Sequence, residues 1–167
     1  MTQPEPMPDS SVIIAERFYQ IALSHRFELG FYGGVYFGDQ QMLPGTPALC
    51  IEPGTMKQEL KAAQNRTEND IDTYFLIYHA PIAEKQNARR ETIEVAENLK
   101  RFLHRNYLRL YMAPVAVGAS EQDLNRQLTI HGHCVETDPG YQFKQGTMYN
   151  AVQMTWRSIS KTWLQQP

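Results

Sequence analysis

Three segments of the chain alternate with a period of two, Thr67 to Ala80, Leu128 to Gly140 and Tyr149 to Thr162, and the first constrains the fold most. Between Ile71 and Ala80 one face of a strand would carry Ile71, Phe75 and Ile77, and the other Tyr74, Leu76 and Tyr78. A strand apolar on both sides belongs in the middle of a sheet covered on both faces. The last segment is different: Val152, Met154 and Trp156 alternate with Gln153, Thr155 and Arg157, as in a strand with one buried face. Polar clusters at Arg66-Thr67-Glu68-Asn69, Thr137-Asp138-Pro139-Gly140-Tyr141 and Thr155-Trp156-Arg157-Ser158 read as the bounds of these strands.

Helical spacing appears twice. Ile14, Phe18, Ile21 and His25, flanked by Val12, Ala15, Tyr19 and Ala22, predict a helix to about Arg26, capped by Asp9, Ser10 or Ser11. A second helix, opening at Pro81 or Asn87, carries an apolar stripe of Thr92, Val95, Ala96, Leu99, Phe102 and Leu103; Arg90, Glu91, Glu94, Glu97, Lys100 and Arg101 form its wet side. Gly30, Gly33, Gly34 and Gly38 interrupt the aromatic stretch Phe31 to Phe37, which reads as a short bulged strand or hairpin arm. A turn over Pro44-Gly45-Thr46-Pro47 leads to a strand from Ala48 to Glu52, ended by Pro53-Gly54. The charged connection from Gly54 to Thr67 reads as a protruding hairpin or loop, and Tyr107 to Asp123 as an irregular connection, with Glu121 to Arg126 a short turn of helix.

Two segregated helices and these strands make an α+β layer: one domain, residues 11–163, with two helices on one face of a mainly antiparallel four- to five-stranded sheet. Residues 1–10, rich in proline, form a flexible start, and residues 164–167 a C-terminal tail. The expected core is Phe75, Ile77, Leu99, Phe102, Val152, Met154 and Trp156. The second apolar face of Ile71 to Ala80 needs cover from the long connections or from another copy of the chain.

A formal charge of −2 and a pI near 6.2 offer no bulk attraction to a phosphate backbone. Neither a membrane-length apolar run nor a basic-then-apolar start is present, so a soluble, unexported protein is expected. Cys50 and Cys134 lie in predicted strands and read as free thiols of a reducing compartment. The glycines do not spell a phosphate loop, and Glu91, Glu94 and Glu97 lie on a wet helix side. Neither cofactor nor catalytic residue is expected.

A resemblance adds to these readings. Cys50-Ile51-Glu52-Pro53-Gly54, Arg66-Thr67-Glu68-Asn69 leading into Tyr74-Phe75-Leu76-Ile77-Tyr78-His79, and the acidic helix from Glu91 to Leu103 resemble tail terminator and neck proteins of tailed bacteriophages. So do Ile130-His131-Gly132 running into Glu136-Thr137-Asp138-Pro139-Gly140-Tyr141, and Met154-Thr155-Trp156-Arg157-Ser158-Ile159-Ser160-Lys161. The resemblance implies a homohexameric ring in the virion, assembled in the host cytoplasm, that stops tail-tube growth and joins the tail to the neck. Its partners would be the tail tube, the sheath where there is one, and the head-neck connector, with genomic DNA passing through the lumen unbound and no membrane contact. The mixed charges of Lys57, Glu59, Lys61, Arg66 and Glu68 beside a strand edge are the candidate subunit or neck contacts.

Other readings stay open. The chain could be another head-tail connector component, or a small metal- or ligand-binding α+β domain or enzyme with a site near His79, His131 and His133. His131 and His133 share a strand face, whereas Glu136 sits at the wrong offset to complete a barrel-type metal set. Cys50 with His79, or Cys134 with His131, would supply a nucleophile and a base.

Overall fold

The computed structural model describes residues 11–64, 66–84, 88–111 and 131–163. Expectations for residues 1–10, 112–130 and 164–167, including the helical turn at Glu121 to Arg126 and the irregular connection beyond Tyr111, fall outside these residues.

Helix α1 spans Ser11–Ser24, and the residues recurring at its helical spacing, Ile14, Ala15, Phe18 and Ala22, are the ones it buries. Helix α2 runs Arg89–Tyr111. It therefore starts later than Pro81 and takes in Tyr107 to Tyr111, which the sequence left irregular; Ala88 O accepts both the Thr92 N–H at 2.9 Å and the Thr92 hydroxyl at 2.7 Å in its first turn. Its wet side is as expected at Arg90, Glu94, Glu97 and Arg101, while Glu91 and Lys100 are half-buried.

Strands β1 (Gly34–Phe37), β2 (Ala48–Lys61), β3 (Arg66–Pro81), β4 (His131–Lys144) and β5 (Thr147–Trp163) form one mixed sheet in the order β1-β2-β3-β5-β4. Among the described residues only the β1–β2 pair is parallel. The doubly apolar segment is the central strand, as its pattern required. Three of the polar clusters taken as strand ends lie inside strands instead: β3 begins at Arg66, β4 continues past Tyr141 to Lys144, and β5 runs through Trp156.

Pro53-Gly54 does not end β2 either. Pro53 pairs with Thr73 and Met56 with Ile71, so Gly54 and Thr55 face Asp72 alone and the strand bulges rather than stops. A Cβ on Gly54 would sit 2.6 Å from the Asp72 carbonyl oxygen, which is why glycine occupies the bulge. Beyond it β2 and β3 continue as a long hairpin arm, turned by a short 3-10 segment at Ala62–Gln64.

Residues paired across strands share a face. On one face Leu49, Ile51, Ile71, Phe75, Ile77, Val152, Met154 and Trp156 meet both helices in a single core. The Phe18 ring packs edge-on against Phe75 at 5.4 Å and Trp156 at 6.1 Å, and His104 of α2 lies 5.0 Å from Trp156. Phe102 departs from the expected core: it is only partly buried, stacked 5.0 Å from His25 where α1 meets α2.

The opposite face is covered in part by the chain's own loop. After β1, Asp39 and Gln40 lie over Tyr78 and Cys50, which are buried. Lys144, its side chain 7% exposed, donates to Asp39 and to the Gln40 carbonyl and stands 4.8 Å over the Tyr78 ring. Further along the same face Tyr74 and Leu76 remain half-buried.

Candidate functional site

The arm brings the five charged residues singled out from the sequence onto one surface. Glu59 pairs with Glu68 and Lys61 with Arg66, and Lys57, facing Asp70, lies two residues further along the same face. Ion pairs run along each strand: Lys61 to Glu59 at 2.8 Å and Arg66 to Glu68 at 2.8 Å. At the Glu59–Glu68 and Lys61–Arg66 positions like charges stand opposite each other across the strands, which disfavours the hairpin itself by roughly 0.2–1 kcal/mol per pair, whereas Lys57 faces Asp70. The result is a row of cations beside a row of anions, a pattern that a partner with its rows offset by one would match. The Glu59 hydrogen bond raises the Lys61 pKa above its ordinary value, so the ammonium stays charged throughout the physiological range.

Asp72 anchors the base of this arm. Its carboxylate, 10% exposed, accepts Arg157 Nε at 2.9 Å and a second guanidinium nitrogen at 3.2 Å, and the bulge's Thr55 hydroxyl donates to it at 3.3 Å. The bond to Asp72 raises the Arg157 pKa. One carboxylate thus ties β2, β3 and β5 together where the arm leaves the helix-covered part of the sheet. Sequence reasoning passed over Asp72, Asp39 and Lys144. An aspartate in the doubly apolar stretch was a signal for the first; no local pattern marks the others.

The histidines are not assembled. His133 faces Arg157, whereas His79 follows Tyr78, which pairs with Ala151, six residues along β5 and about 20 Å away at ~3.3 Å per residue. His79 Nδ1 accepts the Ala80 N–H at 2.8 Å. Among the described residues no group of three or more His, Cys, Asp or Glu could hold a metal ion.

The cysteine pairings fare similarly. Cys50 faces the loop-covered side, where burial pushes its thiol up to about 11 against an ordinary 9.0, the reverse of nucleophile activation. Cys134 pairs with Trp156 and is half-buried, its thiol donating to Glu136 O at 3.4 Å. A hollow of about 100 Å³ beside Leu76, Tyr78 and Gln153 is well below the ~300–1,000 Å³ of ordinary ligand pockets, while two hollows of about 370 Å³ beside Asp39 and Lys144 and about 320 Å³ beside His25 and Phe102 reach the lower end of that range. No described helix is long and apolar enough to cross a membrane.

Comparison with known proteins finds no family model that matches the chain and no curated protein similar to it.

Proposed function

We propose that this chain is a structural virion protein of a tailed bacteriophage, a tail terminator whose copies form a hexameric ring that ends tail-tube growth and joins the tail to the head-neck connector. The observation that carries this reading is the arm, whose β2 residues Thr55 to Leu60 are exposed on both faces and which bears rows of like charge that an external partner can match. The resemblance to tail terminator and neck proteins supports it. The resembling segments Cys50 to Gly54, Arg66 to His79 and Met154 to Lys161 lie on β2, β3 and β5, which are adjacent in the sheet.

Work in such a subunit is done by surfaces and not by bond chemistry. Self-association through unlike patches closes into a ring when the rotation per subunit divides the circle. The tail tube, a sheath where there is one, and the connector would take the ring's two ends. Genomic DNA passes through the lumen without specific binding, and a slight net negative charge of −2 suits a channel that must not retain phosphate. Tube-elongation assays test the reading: added chain should cap growing tail tubes at a fixed length and remain at one end. Tubes that lengthen as they do without it would refute it.

A further inference from the structure

Among the described residues, two edges of the sheet have no strand beside them: β1 pairs with β2 only over Ala48 to Ile51, which leaves β2 from Glu52 to Lys61, and β4 is the last strand on the other side. Each edge carries exposed apolar side chains on the helix-facing side of the sheet. On the arm they are Met56, 53% exposed, and Leu60, 61% exposed, paired with Ile71 and Thr67. On the β4–β5 hairpin they are Tyr141, Phe143 and Met148, in register with the core residue Val152 but exposed by 56%, 59% and 41%. The other side of the same edges is charged with opposite bias, Lys57 and Lys61 flanking Glu59 on the arm, and Glu136 and Asp138 on β4.

The two apolar patches cannot meet within one molecule. The row of Leu60 and Thr67 crosses β5 at Thr162, fourteen residues from Met148, on the order of 45 Å at ~3.3 Å per residue. They also differ in composition and belong to different strands, so the contact that joins them is head-to-tail, not two-fold.

We propose that the arm edge of β2 docks on the β4 edge of a second copy of this chain, extending the sheet from one subunit to the next. This rests on the self-association reading above and names the surfaces that carry it. When two edges continue one sheet, like faces stay together: run antiparallel with Met56 opposite Phe143, the edges set Leu60 beside Tyr141 and Lys61 opposite Asp138. Pro139 lacks an N–H, so one rung of the ladder is missing and side chains carry more of the contact. An exposed, partly apolar edge is otherwise an aggregation hazard, which a dedicated partner edge removes.

The test uses the full chain and two double variants, Met56→Asp with Leu60→Asp on the arm, and Tyr141→Asp with Phe143→Asp on the hairpin. Native mass is the readout, and thermal melts check folding. Each variant alone should be monomeric with a melt like that of the unaltered chain. Mixed, they should form a 1:1 dimer and nothing larger, because only one intact arm and one intact β4 edge remain between them. A mixture that stays monomeric overturns the proposal, as do variants that still form the full ring, although the latter leaves the ring reading standing. An unaltered chain that is monomeric at every concentration overturns both. Should a variant fail to fold, the charge swap Lys61→Glu with Asp138→Lys serves instead. Each alone is expected to weaken assembly at least tenfold and the two together to restore it; no restoration overturns the proposal.

Discussion

Trp156 is the residue on which the placement of both helices depends, and its replacement by alanine gives a quantitative test. The side chain is fully buried on β5, with Phe18 of α1 at 6.1 Å, His104 of α2 at 5.0 Å and Cys134 opposite on β4. A buried tryptophan removes up to ~250 Å² from water, about 6 kcal/mol at ~25 cal/mol per Å². Residual burial in the unfolded chain lowers this by ~10–40%. The expected cost of Trp156→Ala is therefore about 3–5 kcal/mol, in line with other large-to-small changes in packed cores. Urea denaturation followed by far-ultraviolet circular dichroism measures it without relying on the lost indole. Met42→Ala is the control: 72% exposed on the loop after β1, it should change stability by no more than about 0.5 kcal/mol. A Trp156→Ala cost below about 1.5 kcal/mol, or equal costs at the two positions, would refute the assignment of the core to the helix-covered face.

Three further outcomes follow from the same structure. Lys144→Met should cost about 1–3 kcal/mol, below the full cost of breaking a buried ion pair because Asp39 keeps partial access to water, and should speed alkylation of Cys50 as its covering loop loosens. Cys50 and Tyr78 are both acids held protonated by burial. Their contribution to stability should be constant below about pH 9, the ordinary thiol value, and Cys50 should remove up to about 2–3 kcal/mol as pH rises toward about 11, with Tyr78 adding to the loss above about pH 10; a pH series of urea midpoints checks this, and Cys134 should react first with thiol reagents at neutral pH. Lys57→Glu, at an exposed residue, should weaken assembly at least tenfold while changing urea-derived stability by less than about 0.5 kcal/mol; Arg66→Glu should weaken assembly too, with an added cost to the fold because it breaks the pair with Glu68.

The strands whose side chains alternate against a core were legible, because burial writes a period of two into β3 and β5 and a helical stripe into α1 and α2. The arm was harder to read. Past the bulge β2 has no core beneath it, so Met56, Gln58 and Leu60 give no apolar alternation, and Pro53-Gly54 looks like a stop when it is the irregularity that re-aims the strand. Parallel pairing of β1 with β2 depends on how residues 38–47 fold back, which no local pattern encodes. Lys144 went unmarked in the sequence, yet tertiary contacts with Asp39, Gln40 and Tyr78 bury it. The charged residues of the candidate contact surface were visible one by one. Their rows of like charge became apparent only with the register, which sets Glu59 against Glu68 and Lys61 against Arg66.

The central claim is that this chain works as a ring in the neck of a virion, and imaging of purified phage particles labelled through an antibody to this chain tests it most directly. Label should appear once per particle, at the head-proximal end of the tail, with averaged images showing a six-fold ring around the channel. Label on the head shell or the tail tip, or particles that carry none of the chain, would contradict the account.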